Sequence, residues 1–289
     1  GAFSQYLSPT VIDQIVENPD MLQLGGEKRE MTPFFSDIQG FSTISEGLTP
    51  EELVQLLNEY LTAMCDIVSS YNGTIDKFEG DAIIAFWGAP LELPDHATIA
   101  CHASIDMQKR NEEMRKMLRE QNRPMLYTRI GMSSGPVVVG NMGSADRMDY
   151  TMMGDVVNLA ARLEGVNKFY KTFTMIPQST YDLAKDDIDT RQLDVIRVVG
   201  KKEPISVYEV LERKNQTSSE KSGVVENYLK ALKLYEERNF ADALKEFEKV
   251  LAIDQDDGPS QTYVKRCGVF LETPPEKDWD GVYTFTEKG

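Results

Sequence analysis

The sequence predicts an α+β fold: a ferredoxin-like β-α-β-β-α-β core sheet with helices on one face, further strands, and a small all-α C-terminal region. Two observations carry this prediction. Apolar patterns follow the order strand, helix, hairpin, helix, strand through the first half of the chain, and a helix-turn-helix pattern begins near residue 224. A chain of 289 residues with 41% hydrophobic content is long enough for one large domain and a small one.

The predicted core elements follow one another with clear start and stop signals. A mostly apolar strand covers residues 31–38, and a capping box with proline at the first helical position opens a helix at residues 49–52. A hairpin over 74–87, a long helix over about 95–120 and a strand over 126–134 complete the pattern. In this topology the first strand and the hairpin are neighbours in the sheet.

Composition excludes some classes of function and partner. The chain has 47 acidic and 31 basic residues, a formal net charge of −16, and no basic patch, which argues against binding to nucleic acid. It has no run of 18 apolar residues, so we expect no membrane segment in this chain. Its three cysteines are odd in number and far apart, which is typical of reduced thiols and a cytoplasmic location.

Residues 1–28 are predicted to form an N-terminal coupling helix and a lead-in. Ser8-Pro9 provides an N-cap followed by proline at the first helical position, and apolar residues follow at helical spacing. This helix could equally pack on its own domain or pair with a second subunit. Gly1-Ala2 is typical of an expression remnant, so we expect an upstream sensor or membrane region in the full-length protein.

Two aspartates are expected to converge at one end of the sheet. Asp37 lies where the first strand ends in a glycine turn, and Asp81 lies beside the turn of the hairpin. Each alone could be a turn cap or a salt-bridge partner. As a pair, two converging carboxylates suit a hard divalent ion such as Mg²⁺ that also holds substrate phosphates.

A second candidate pair lies on a predicted helix that begins near residue 155. Asn158 and Arg162 are spaced i and i+4, which places an amide and a guanidinium on one helix face. Arg is suited to stabilising phosphoryl oxygens, and Asn can orient a ribose or phosphate oxygen. Spacing alone favours a plainer reading, a solvated face or an i,i+4 hydrogen bond.

Three motifs together resemble a known family. They read Phe-Ser-Asp-Ile-Gln-Gly-Phe at 35–41, Lys-Phe-Glu-Gly-Asp at 77–81 and Gly-Asp-Val-Val-Asn-Leu-Ala-Ala-Arg-Leu at 154–163. In order and spacing, residues 29–213 resemble the class III adenylyl/guanylyl cyclase catalytic domain.

The resemblance implies a head-to-tail homodimer with two active sites at its interface, each cyclising a nucleoside triphosphate and releasing pyrophosphate. By analogy, Asp37, Asp81 and the Ile38 carbonyl would bind two divalent metal ions, Mg²⁺ or Mn²⁺. Asn158 and Arg162 of the other subunit would orient the ribose and stabilise the transition state. None of these motifs contains an obvious general base.

Base choice in the family depends on two positions, which are Lys77 and Thr151 here. Adenylyl cyclases carry Lys with Asp or Thr, whereas guanylyl cyclases carry Glu with Cys. Lys donates to a ring-nitrogen acceptor of adenine, and a Thr hydroxyl can accept from the exocyclic amine. The resemblance therefore implies ATP as substrate and adenylate cyclase activity; the alternative is a catalytically inactive module that dimerises or binds nucleotide.

Two further expectations follow from the resemblance. The segment 198–202 departs from the family's Val-Lys-Gly-Lys pattern, so either Lys201, which we select, or Lys202 would contact the triphosphate, or no lysine does. The Thr variant resembles a subgroup that includes bicarbonate-stimulated cyclases, so activation by bicarbonate is a hypothesis. Equal turnover with bicarbonate and with chloride at fixed pH would refute it.

The hairpin pattern predicts where its two functional side chains point. A turn at Glu79-Gly80 would pair Phe78 with Asp81 and Lys77 with Ala82. Strand alternation would then direct Lys77 and Asp81 to opposite faces. With the dimer of the family, each chain would give Asp81 to one active site and Lys77 to the other.

The chain after the cyclase-like region is predicted to be a linker, 214–223, and a helical region, 224–289. The spacing of apolar residues in the helical region resembles a single tetratricopeptide-type repeat. Because one repeat cannot bury its own apolar face, we expect it to dock on the preceding domain or on a second subunit.

Overall fold

The computed structural model describes residues 24–144, 147–198 and 202–285, together with positions 12, 16 and 17. The predicted N-terminal helix and Lys201 therefore fall outside the described residues, apart from those three positions. No helix in the described part of the chain is both long and apolar enough to cross a bilayer.

The described residues between 24 and 213 contain both strands and helices, and helices dominate the described residues after 213. The strands are β1 (Gly25–Ile38), β2 (Thr74–Glu79), β3 (Ala82–Trp87), β4 (Thr128–Met132), β5 (Gly135–Gly143), β6 (Met148–Met153), β7 (Thr174–Pro177), β8 (Ile188–Arg197), β9 (Ile205–Arg213) and β10 (Tyr283–Thr284). The helices are α1 (Phe41–Glu46), α2 (Pro50–Ser70), α3 (His96–Glu120), α4 (Asp155–Tyr170), α5 (Gln178–Ala184), α6 (Ser219–Glu236), α7 (Phe240–Ile253) and α8 (Gly258–Glu272).

The predicted ferredoxin-like core is confirmed. The central strands lie in the order β4-β1-β3-β2, with every neighbouring pair antiparallel. The sheet continues beyond β4 through β7, β9 and β8 to β10. The long strand β1 pairs with β3 and β4 through its second half and with β5 through its first half. The hairpin β5-β6 thus extends the sheet away from the core strands.

Helices α2 and α3 cover one face of the core strands, as the sequence predicts. The Thr49 side chain and Glu52 form the expected capping box, and proline occupies the first turn of α2. The buried residues of α2 recur every four positions, at Leu56, Tyr60, Met64 and Val68. They pack with Phe34 and Trp87 of the sheet in one apolar core.

The predicted register of the β2-β3 hairpin is wrong, because the turn lies one residue further along the chain and each partner moves by two residues. Glu79 pairs with Ala82 and Lys77 with Ile84, so the turn is formed by Gly80 and Asp81 rather than by Glu79 and Gly80. Gly80 has a φ of +64°, which glycine adopts without strain at the first central position of a tight turn. Because Asp81 lies in the turn itself, strand alternation no longer predicts that Lys77 and Asp81 point to opposite faces of the sheet.

The C-terminal helices dock on the opposite face of the outer strands, which adds to the predicted architecture. Adjacent residues of β7 show the two faces: Ile176 lies in the core with α2 and α3, whereas Met175 lies in the core with α4 and the C-terminal helices. The hydroxyls of Tyr228 and Tyr263 both donate to the Leu193 carbonyl, each at 2.9 Å. The helices dock on their own domain, while the tetratricopeptide resemblance stays a prediction.

The predicted linker, 214–223, is shorter than expected and is hydrogen-bonded to the sheet. Helix α6 begins at Ser219, where the Ser218 side chain accepts from the Lys221 N–H. The backbone N–H and the hydroxyl of Thr217 both donate to Asp189 on β8. The polar residues of this segment thus hold α6 against the sheet.

A buried arginine joins the C-terminal helices to the sheet. The Arg191 side chain on β8 is 1% exposed and forms ion pairs of 2.6 Å with Glu209 on β9 and with Asp257 at the N-terminus of α8. Burial opposes the ionisation of Asp257, but the guanidinium and the Ser260 N–H outweigh burial and lower the pKa of Asp257. The guanidinium also lies 4.8 Å from the centroid of the Tyr228 ring.

Replacing Arg191 with Met should lower the free energy of unfolding by about 3–5 kcal/mol, because two carboxylates would lose their buried partner. Urea denaturation at neutral pH measures this. Arg110→Met on the exposed face of α3, where Arg110 pairs with Glu113, is the matched control and should change stability by less than about 1 kcal/mol. Equal effects of the two substitutions would contradict the role assigned to Arg191.

Candidate active site

Asp37 and Asp81 lie next to each other at the end of the core sheet. The antiparallel register of β1 and β3 places Ile38 opposite Asp81, and the Ile38 N–H donates to Asp81 Oδ2 at 2.8 Å. Burial and the neighbouring Asp37 carboxylate raise the pKa of Asp81 to about 7, although the Ile38 N–H opposes this shift. The predicted convergence of the two aspartates is therefore present in the fold.

The chemistry of this carboxylate pair fits a hard cation. Two facing carboxylates repel each other unless a proton or a positive ion lies between them, and oxygen donors are the ligands that Mg²⁺ and Mn²⁺ prefer. The Asp37 side chain is 36% exposed, which leaves the pair open to solvent ions and phosphates. In the described part of the chain, no group of three or more His, Cys, Asp or Glu residues could hold a metal. Such an ion would therefore need ligands besides these carboxylates.

An arginine that the sequence analysis missed lies beside this pair. Arg129 on β4 is the cross-strand partner of Asp37, and its Nη2 lies 3.4 Å from Asp37 Oδ2. Its Nε lies 3.0 Å from Glu164 Oε1 of α4. Sequence spacing carries no signal for this arrangement, because the strand register and the docking of α4 create it.

Glu164 is a buried acid held near the two aspartates. Burial raises the pKa of Glu164 to about 7; Arg129 lowers it, and the charges of Asp37 and Asp81 raise it further. The contact with Arg129 is an ion pair without hydrogen-bond alignment, since neither atom has a hydrogen-bond partner in the described part of the chain. The arginine therefore offsets only part of the cost of burying this carboxylate.

Gly131 allows α4 to approach the sheet closely enough to form this cluster. A Cβ atom at Gly131 would collide with the backbone of Ala160 and Glu164. The Asn167 side-chain amide of α4 also donates to the Ile130 carbonyl at 2.9 Å. The position of α4, and with it of Glu164, is thus fixed by direct backbone contact with β4.

The two predicted base-reading residues meet at a third residue, Asp76, which the sequence analysis did not select. Thr151 Oγ1 on β6 donates to Asp76 Oδ2 at 2.5 Å. Lys77 Nζ lies 3.5 Å from Asp76 Oδ1. The hairpin pairing shifts register between Ile75 and Lys77, so Asp76 is the extra residue of a β-bulge. Lys77 and Thr151 are thereby brought together across 74 positions of sequence.

Asn158 and Arg162 lie on α4 one turn apart, as predicted, and Gly154 occupies the N-cap position of the helix. In the part of the chain that the structure describes, neither side chain forms a hydrogen bond or an ion pair. Arg162 and Glu164 are two positions apart, which turns their side chains about 200° from each other around the helix. Because Glu164 faces Arg129, Arg162 faces away from the aspartates of its own chain.

The sequence matches the family model described as the adenylate and guanylate cyclase catalytic domain over residues 26–212, about two thirds of the chain. The chain therefore belongs to this family. Among curated proteins, it is 35% identical over 209 residues to adenylate cyclase 1 of Rhizobium meliloti. The match covers 72% of this chain but only 31% of that relative, so the chain spans about a third of its length.

Solved structures agree on the fold and include cyclases of both base specificities. The adenylyl cyclase CyaB of P. aeruginosa is 37% identical, with a TM-score of 0.62, and the match covers 68% of this chain and all of that one. The guanylyl cyclase Cya2 is 34% identical, with a TM-score of 0.60, and covers 67% of this chain. Overall similarity therefore does not separate ATP from GTP as substrate, and the base-contacting residues must do so.

Replacing Glu164 with Gln should flatten part of the pH dependence of stability. Since its folded pKa of about 7 exceeds the ordinary value of 4.5, Glu164 binds a proton in the folded state that the unfolded state lacks. Its contribution to stability is present below about pH 4.5 and is lost as the pH rises through 7. The Gln variant should gain about 1–3 kcal/mol over the wild type across that range.

Urea denaturation at several pH values, in EDTA to exclude metal, measures this difference. Glu113→Gln, at an exposed pair on α3, is the matched control and should follow the wild-type curve. Parallel curves for the wild type and Glu164→Gln would contradict the assignment.

Proposed function

We propose that this chain is the catalytic part of an adenylate cyclase, which converts ATP to 3′,5′-cyclic AMP and pyrophosphate at the interface of a head-to-tail homodimer. The observation that carries the proposal is the meeting of Lys77 and Thr151 at Asp76. Lys donates to the N1 acceptor of adenine, and the Thr oxygen accepts from the exocyclic amine. Guanine would instead present its ring N–H donor to Lys77, which leaves the ammonium without an acceptor.

Asp37, Asp81 and the Ile38 carbonyl would hold two divalent ions, Mg²⁺ or Mn²⁺. Support comes from the facing carboxylates, whose mutual repulsion and burial raise the pKa of Asp81 to about 7. When bound, such ions polarise the phosphate oxygens and make the ribose 3′-hydroxyl more acidic. The aspartates would hold these ions, and the Ile38 N–H keeps the Asp81 carboxylate in place.

Asn158 and Arg162 would act on substrate bound at the aspartates of the partner subunit. Support comes from α4, which directs Glu164 towards the aspartates of its own chain and Arg162 away from them. Both side chains lack partners in the described part of the chain, which suits residues that bind a ribose and a phosphate. Lys201 remains a candidate for contact with the triphosphate, and activation by bicarbonate remains a hypothesis from the family resemblance.

Product analysis after incubation with ATP or GTP, and with Mg²⁺ or Mn²⁺, tests the proposed activity. We expect cyclic AMP as the main product, and we expect Asp37→Asn or Asp81→Asn to reduce its formation at least about a hundredfold. Asp66→Asn on the exposed side of α2 is the matched control. A dimeric sample that gives no cyclic nucleotide with either metal would favour the rival function, an inactive nucleotide-binding module.

Mixing two variant chains tests the division of the active site between subunits. A Lys77→Ala chain and an Asp81→Ala chain should each be nearly inactive alone. In the heterodimer, one site loses both residues and the other keeps both, so activity should return. Dual-tag purification verifies the heterodimer. If verified heterodimers stay inactive, Lys77 and Asp81 serve the same site and the division is wrong.

A further inference from the structure

We infer that Asp76 determines the base specificity of the site by fixing the Thr151 hydroxyl as a hydrogen-bond acceptor. The inference rests on the proposed function and deepens it. A threonine hydroxyl has one proton to donate and two lone pairs to accept with, so threonine by itself can bind either an amine or a carbonyl. A residue that engages the proton removes this ambiguity.

Asp76 accepts that proton in a hydrogen bond. Thr151 Oγ1 donates to Asp76 Oδ2 at 2.5 Å, a short charge-assisted hydrogen bond. The Asp76 side chain is only 2% exposed, so water does not compete for this position. With its proton directed at Asp76, the Thr151 oxygen has only lone pairs left for a base, and it behaves like the carboxylate that other adenylyl cyclases of the family carry there.

The same carboxylate lies beside the second base-reading group, Lys77. Asp76 Oδ1 makes no hydrogen bond in the described part of the chain, and Lys77 Nζ lies 3.5 Å from it. Burial raises the pKa of Asp76 above its ordinary value, and the Thr151 hydroxyl and the Lys77 ammonium offset part of this rise. One buried carboxylate thus contacts both base-reading groups: Lys77, which can only donate, and Thr151, which it leaves as an acceptor, the pattern that complements adenine.

The β-bulge explains why one residue can serve both neighbours. In a regular strand, adjacent side chains point to opposite faces. The register shift between Ile75 and Lys77 breaks this alternation at Asp76. Asp76 can therefore contact its sequence neighbour Lys77 and also reach Thr151 on β6.

Asp76→Asn reverses the hydrogen bonding without changing the size of the side chain. The amide oxygen will face the Lys77 ammonium, which can only donate, and the amide NH₂ will then face Thr151. Thr151 accepts from this NH₂, and its own proton becomes available to the base. The 6-carbonyl oxygen of a purine can then accept a hydrogen bond from Thr151, whereas in the wild type it would face a lone pair of the Thr151 oxygen.

The measurement is the ratio of kcat/KM for inosine triphosphate to kcat/KM for ATP. Inosine triphosphate carries the 6-carbonyl of guanine without its 2-amino group. We expect the ratio to rise about tenfold in Asp76→Asn, the effect of about one hydrogen bond. Asp76→Leu also removes the acceptor and should raise the ratio as well. Asp149→Asn removes a nearby exposed charge that does not bind Thr151 and should leave the ratio unchanged.

The Thr151→Val variant shows whether a change in the ratio depends on the Thr151 hydroxyl or on a more mobile Lys77 side chain. Adding Asp76→Asn to Thr151→Val should leave the ratio unchanged, because no hydroxyl remains to be reoriented. The inference is overturned if the ratio stays within about twofold of wild type in Asp76→Asn and Asp76→Leu, or if the shift persists without the hydroxyl. A wild-type chain that forms no cyclic AMP refutes the proposed function, whereas an active chain with an unmoved ratio refutes only the role of Asp76.

Discussion

The repulsion between Asp37 and Asp81 is the constraint on which the rest of the site depends. Strand register brings the two carboxylates together, and burial raises the pKa of Asp81 to about 7, so the pair needs positive charge to stay ionised. Arg129 provides part of that charge from one side. The proposed metal ions would supply the rest from the open side, so an arrangement that is unfavourable in the isolated chain would become favourable when they bind.

Helix α4 separates the groups that serve the two proposed active sites. Gly131 lets it lie directly on β4, which fixes Glu164 beside Arg129 near the aspartates of the same chain. The opposite side of the helix carries Asn158 and Arg162. A single chain in this arrangement cannot bring Arg162 to its own aspartates, which is the physical reason for proposing a dimer.

The C-terminal helices belong to the same folded unit as α4. They share an apolar core with α4 and the outer strands, and two arginines, Arg191 and Arg266, join them to β8 through ion pairs. Arg266 pairs with Asp194 at 2.5 Å, and Asp194 also accepts from the Tyr170 hydroxyl at the end of α4. The helix that carries Asn158 and Arg162 is therefore held at its far end by residues outside the matched catalytic domain.

The sequence by itself determined the order of elements and the choice of the main candidate site residues. Apolar periodicity, the Thr49 capping box and the three motifs are formed by residues close together in the chain, so they can be recognised from the sequence alone. The tertiary structure alone decided the hairpin register, the docking of the C-terminal helices and the roles of Arg129, Glu164 and Asp76. These depend on strand pairing, on a bulge and on the close approach at Gly131, which bring together residues that no sequence spacing relates. For Asp76 the reason is specific: it is functional only because β6 places Thr151 against it.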